Sequence, residues 1–167
     1  MAKTSSKRRH ALARQERRIP RSRLQYGALC YRVKKGKLRI LLISSRRTRR
    51  WVTPKGWPMH GKTGWEAAAQ EAWEEAGVRG KAVAHSLGFY SYAKYLSKDR
   101  YITCTVQIFP LAVETKSRDF PERAERRRKW MRPRKAMEAV DEPELSRMIR
   151  KFARNFEKAA KTKKSGD

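Results

Sequence analysis

Between Pro54 and Val78 the chain reads PKGWPMHGKTGWEAAAQEAWEEAGV, and no other stretch constrains the fold as much. Thr63 followed three residues later by Glu66 is a capping-box pattern, which starts a helix near Gly64. Alanines at 67, 68, 69, 72 and 76 favour that helix, and Gly77 is a natural stop for it. Glu71, Glu74 and Glu75 then stand at i, i+3 and i+4, so three carboxylates project from one face.

Like charges at this spacing repel by about 0.2–0.5 kcal/mol per pair, and carboxylates near a helix C-terminus also oppose the helix dipole. A hard divalent cation, Mg²⁺ or Mn²⁺, would relieve both, because it takes carboxylate oxygens and bridges to phosphates. The other reading is a solvated acidic face bridged to lysines and arginines, and helical spacing alone does not decide between them.

The rest of the chain is overwhelmingly basic. Its 167 residues carry 43 Lys and Arg against 16 Asp and Glu, a formal net charge of +27, so frequent partners are expected to be anionic. Nucleic acid, polyphosphates and acidic membrane surfaces all qualify. Cys30 and Cys104 lie far apart in apolar segments with no metal-ligand spacing and read as reduced core residues. No apolar run reaches the ~18 residues of a membrane span and the N-terminus has no signal-peptide core, so the expectation is a soluble cytoplasmic protein. Oligomeric state is not legible.

Residues 1–23 hold nine Lys or Arg and one acid, Glu16, and read as a basic disordered arm, helical only when bound, that could contact RNA. From Gln25 the runs QYGALCYRV and LRILLIS flank a short turn at Gly36 and read as a hairpin, with Leu38 to Ile43 apolar enough for a central strand. RWVTP is a further extended piece, and AVAHSLGFYSYA and YITCTVQIFPLAV are two more strands joined by KYLSKDR. Pro133 opens a short helix, and EPELSRMIRKFARNFEKAAK is an amphipathic one. Strands, helix, strands, helix give an α+β class, a mixed β-sheet flanked by helices, over residues 24–160, with residues 161–167 as a disordered tail.

Gly56, five residues, position 62, seven residues and then QEAWEEAGV keep the frame of the Nudix box, whose pattern is Gly, five residues, Glu, seven residues, Arg-Glu-apolar-x-Glu-Glu-x-Gly-apolar. The chain supplies Gly56, Glu71, Ala72, Glu74, Glu75, Gly77 and Val78 in register and departs at Lys62, usually Glu, and Gln70, usually Arg. It resembles the Nudix hydrolase family. LLISSRRTRRWVTPKGW and RRRKWMRPRKAMEAV further resemble its diphosphoinositol polyphosphate phosphohydrolase-like branch.

The resemblance implies an α/β/α sandwich and a pyrophosphohydrolase that uses Mg²⁺ or Mn²⁺ on a diphosphoinositol polyphosphate or dinucleoside polyphosphate. Glu71, Glu74 and Glu75 would be metal ligands, with Glu74 or Glu75 orienting or deprotonating the attacking water. The family's box arginine helps hold the neighbouring carboxylates, so Gln70 bears on activity or substrate range. Arg47, Arg50, Lys55, Gly56, Arg126, Arg127 and Arg128 are the candidates for binding phosphate. The alternatives are an RNA 5′-end pyrophosphohydrolase, or a non-catalytic phosphate- or RNA-binding scaffold favoured by Lys62 and Gln70. His60 reads as a loop histidine, and Trp57, Trp65 and Trp73 as flanking core.

Overall fold

Leu41 and Leu42 are neighbours on one strand, face opposite ways, and are both fully buried, so the sheet is covered on both sides. The computed structural model describes residues 2–18, 20 and 23–164. Arg21 of the basic arm and residues 165–167 of the tail, with Met1, Ile19 and Ser22, lie outside the described residues.

Helix α1 (Ala2–Arg18) precedes a hairpin of β1 (Leu24–Lys34) and β2 (Lys37–Ser44). Short strands β3 (Trp51–Val52) and β4 (Lys55–Gly56) lead into α2 (Gly64–Ala76), followed by β5 (Val78–Ala82), β6 (Gly88–Tyr95), β7 (Tyr101–Lys116) and β8 (Arg128–Met131). Helices α3 (Pro133–Ala139) and α4 (Pro143–Lys164) close the described chain.

The sheet order is β3-β2-β1-β7-β5, with β4 on β1, β6 on β7 and β8 on β2. β1 runs parallel to β7 and the other pairings are antiparallel, so the sheet is mixed. The alanines of α2 at 67, 68, 72 and 76 are fully buried against Leu41, Ile43, Val78 and Phe109. Their small side chains let the helix lie close to the strands. On the opposite face Leu145, Ile149 and Ala153 of α4 pack on Leu29, Ile40, Leu42 and Ile108. The α+β class and the layered sandwich expected from the sequence are both present.

Some local readings differ. AVAHSLGFYSYA is not one strand: β5 begins directly after α2, and β5 and β6 pair with different stretches of the long β7. A turn separates them, in which the Gly88 amide donates to Ser86 Oγ at 3.2 Å. Residues 2–18, expected as a disordered arm or a helix formed on binding, are helical here. Arg8 donates to the Leu87 carbonyl at 3.1 Å, and Leu12 and Ala13 share a small cleft with Trp65 and Phe109, which gives the helix a surface to lean on. Residues 161–164, placed in the tail, continue α4. Cys30 and Cys104 are free and buried, and burial pushes the Cys30 thiol up to about 12. Among the described residues no helix is long and apolar enough to cross a membrane.

Candidate active site

The capping box forms as its residues require: Thr63 N donates to Glu66 Oε2 at 2.8 Å and Glu66 N to Thr63 Oγ1 at 3.3 Å. At the other end Gly77 takes a left-handed conformation, φ +63°, and its amide donates to the Ala72 and Trp73 carbonyls. These two ends fix the rotation of α2, and with its alanines against the sheet Glu71 and Glu75 lie along the side facing β4. The Lys55 amide donates to Glu75 Oε2 at 3.3 Å. A Cβ on Gly56 would overlap the Glu71 carboxylate. The fixed distance in sequence between Gly56 and Glu71 is therefore a distance across one contact in space.

Each carboxylate meets a different environment. Glu74 accepts from Gln70 Nε2 at 2.7 Å, so the residue that replaces the family's arginine still orients a box carboxylate. Glu75 accepts from Arg126 Nη2 at 2.9 Å, and both side chains are nearly buried. Glu71 has no hydrogen-bond donor or ion-pair partner among the described residues. Its partial burial, followed by the charges of Glu75, Glu74 and Glu122, raises its carboxyl to about 7. Burial also raises Glu75 to about 7, against the pull of Arg126 and Lys55.

Gln70 turns Glu74 one way and Arg126 with the Lys55 amide holds Glu75, and no three acidic, histidine or cysteine side chains among the described residues form a ready cation cage. The donor chemistry nevertheless fits a hard divalent ion. The donors are all carboxylate oxygens, the charges of Glu75 and Glu74 raise the proton affinity of Glu71, and Glu71 lacks any compensating charge-assisted bond.

A cavity of about 860 Å³ is lined by Arg47, Arg50, Lys55, Tyr92, Lys94 and Lys98, among others, and Lys55, whose amide meets Glu75, links it to the α2 carboxylates. The basic candidates divide once placed. Lys55 Nζ lies 4.9 Å over the Tyr92 ring with no carboxylate in ion-pair range, and burial lowers its pKa. Arg47 donates to the Tyr95 carbonyl at 3.4 Å and stays exposed. Arg50 is held by Asp141 at 3.1 Å and Glu142 at 2.9 Å, so much of its charge is already matched.

The consecutive arginines at 126, 127 and 128 do not act as one patch. Arg126 is turned inward to Glu75, Glu122 and the Ser44 carbonyl. Arg127 is exposed, its backbone joined to Ser44. Arg128 donates to the carbonyls of Ala76 and Ser117 at 2.8 and 2.9 Å, capping the end of α2. His60 and Lys62 are exposed. Trp65 meets Phe109 edge-on, Trp73 lies under Arg79, and Trp57 is 38% exposed beneath Lys94.

Sequence reasoning missed Glu122, whose amide bonds to the Glu74 carbonyl at 3.0 Å and whose carboxylate joins the cluster. Its one local signal was Arg126 four residues on. It also left Lys94 and Lys98 without a role, though both line the cavity.

A NUDIX domain family model matches residues 23–152. Nudix hydrolase 12, mitochondrial, of Arabidopsis thaliana is 34% identical over 124 residues, which cover 72% of this chain and 61% of that protein. Nudix hydrolase 16, mitochondrial, of the same plant is 34% identical over 109 residues, covering 64% and 60%. The chain thus spans about three-fifths of the length of these relatives. Among solved structures, the C. elegans Ap4A hydrolase superposes with a TM-score of 0.56 at 23% identity, covering 80% of this chain and 97% of that one. A NUDIX hydrolase from Nitrosomonas europaea gives a TM-score of 0.60 at 16% identity, covering 80% and 89%. Both structural likenesses bear on the fold alone.

The relatives' names also correct the cytoplasmic expectation, since several of those proteins are mitochondrial and one is chloroplastic. Charge and the lack of a secretory apolar segment bear on membrane spans and secretion. They say nothing about delivery to an organelle.

Proposed function

The chain belongs to the Nudix family, and from that premise we propose that it is a metal-dependent hydrolase of pyrophosphate bonds in polyphosphorylated small molecules, a diphosphoinositol polyphosphate or a dinucleoside polyphosphate. The observation that carries this reading is Glu71: a part-buried carboxylate with no donor of its own, set among three other carboxylates. Lys55, whose amide donates to Glu75, joins this cluster to a cavity also lined by Arg47, Lys94 and Lys98.

Glu71, Glu74 and Glu75 would hold Mg²⁺ or Mn²⁺. Such an ion, when bound, supplies positive charge to pyrophosphate oxygens and makes water more acidic. Lys55 and Arg47, free of carboxylate partners, bind phosphate from the cavity side. Glu74 or Glu75 takes a proton from water as its oxygen forms a bond to phosphorus and the bridging P–O bond breaks, the leaving phosphate carrying the electron pair. The neighbour from C. elegans is named an Ap4A hydrolase, which supports placing a dinucleoside polyphosphate among the substrates tried.

The test is phosphate release with Mg²⁺ or Mn²⁺ from an inositol pyrophosphate, a dinucleoside polyphosphate, a nucleoside triphosphate and a 5′-triphosphate RNA, with Glu74→Gln alongside. Release from either of the first two, lost by orders of magnitude in the variant, supports the proposal. Preference for the RNA would move the chain to end-processing of transcripts, and tight ligand binding with no turnover would make it a non-catalytic scaffold.

A further inference from the structure

We propose that Arg126 is a positioning residue for Glu75, fixing the plane of that carboxylate from the loop before β8. The inference rests on the reading of the α2 carboxylates as the hydrolytic site, and it changes the part Arg126 plays from binding phosphate to holding the machinery.

The guanidinium is 6% exposed and spans three acceptors: Glu75 Oε1 at 2.9 Å, Glu122 Oε1 at 3.4 Å and the Ser44 carbonyl at 3.1 Å. A charged fork committed to two carboxylates and a carbonyl has little left to offer a phosphate in the cavity. The loop that carries it is tied down on both sides. The Glu122 amide bonds to the Glu74 carbonyl at 3.0 Å, and Ser44 and Arg127 exchange two bonds, Ser44 N to the Arg127 carbonyl at 3.0 Å and Arg127 N to Ser44 Oγ at 2.9 Å.

Glu75 is thereby gripped at both oxygens, Oε1 by Arg126 and Oε2 by the Lys55 amide. Donors from two separate elements define the carboxylate plane, and each oxygen keeps a second lone pair for other work. Gln70 performs the corresponding service for Glu74 at 2.7 Å, as a neutral donor. The chain places its neutral donor within the helix and its charged donor on the loop before β8, on a residue 51 positions away in sequence.

The experiment is a double-mutant cycle of Arg126→Gln and Glu75→Gln, with Arg126→Lys as a variant that keeps the charge and loses the fork. Turnover of the preferred substrate and Mn²⁺ affinity by titration are both read, and thermal melts confirm folding. Arg126→Gln is expected to lower kcat and Mn²⁺ affinity about 10- to 100-fold, as loss of an outer-shell partner does, with KM changed little. In the Glu75→Gln background it should change either quantity by less than about threefold. Arg126→Lys should fall between wild type and Arg126→Gln.

A raised KM with unchanged kcat, or losses that add to those of Glu75→Gln, would return Arg126 to substrate binding and overturn the inference. Should Arg126→Gln fail to fold, the Lys variant and its cycle decide by the same criteria. If wild type hydrolyses nothing, the hydrolase reading falls while the Mn²⁺ cycle still tests the Arg126–Glu75 coupling.

Discussion

The Glu71 carboxylate occupies the space that a side chain on Gly56 would need. Gly56 lies outside the left-handed region of backbone space, so the demand for glycine here is one of room and not of conformation. Gly56→Ala should therefore fold, because its backbone tolerates alanine, while forcing the Glu71 carboxylate aside. We expect turnover to drop about 100-fold, the usual result of displacing a reacting group by an ångström or so. Steady-state kinetics with a thermal melt check this, and an active variant would show that the Glu71 position is unimportant.

Glu71 and Glu75, each raised to about 7, should govern the acid limb of the pH profile. As the pH climbs through 7 they ionise, so kcat/KM should rise and the limb should move to lower pH with added Mg²⁺. The effect on stability has the opposite sign without metal. Between their ordinary value of 4.5 and about 7 the folded state keeps protons that the unfolded chain has released. Their contribution to stability is thus present at low pH and lost as pH rises through 7. In chelator the melting temperature should be lower at pH 8 than at pH 6, with Mg²⁺ recovering more at pH 8; no drop between the two pH values would mean the two carboxyls titrate normally.

Lys55 and Arg50 line the same cavity but should respond differently. Lys55 has no carboxylate partner in ion-pair range, so Lys55→Met should raise KM about tenfold, a loss of about 1.4 kcal/mol of binding. Arg50 is spent on Asp141 and the nearly buried Glu142. Arg50→Met should lower stability by about 1–3 kcal/mol through the stranded Glu142 and leave KM within about threefold. Equal KM effects in the two variants would contradict this division of roles.

Arg128 caps the helix that carries the glutamates. Arg128→Ala removes donors to the Ala76 and Ser117 carbonyls and uncovers Phe120, on which the guanidinium rests at 4.6 Å. Unfolding by denaturant should show a loss of about 1–3 kcal/mol, with KM unchanged. A KM increase would place Arg128 among the phosphate ligands after all.

The features legible in the sequence were those written locally. The capping box, the Gly77 stop and the i, i+3, i+4 glutamates each need residues within one or two helical turns, so spacing alone located them. The apolar run from Leu38 to Ile43 similarly disclosed a strand buried on both faces. What could not be read was which basic side chain meets which acid, because those partners join through the sheet. RRR at 126–128 looks like one cationic run, yet the approach to β8 turns its members to different sides. That alternation was a usable sign once β8 was recognised as a strand. The break between β5 and β6 was hidden for a related reason: apolar residues continue across the turn, and its Ser86 bond is a short-range detail that strand propensity does not register.

The parallel pairing of β1 with β7 sets Leu24 beside Thr105 and Tyr31 beside Ala112. During synthesis the first hairpin, complete at Ser44, must therefore wait, one side of β1 unpaired, until about sixty further residues have been made and Thr105 is reached. The loop that grips Glu75 comes later still, so the glutamate helix exists in the growing chain well before its clamp does. Catalytic competence should emerge late and abruptly, and a product truncated before Glu122 should contain every residue of the box and yet lack an ordered site.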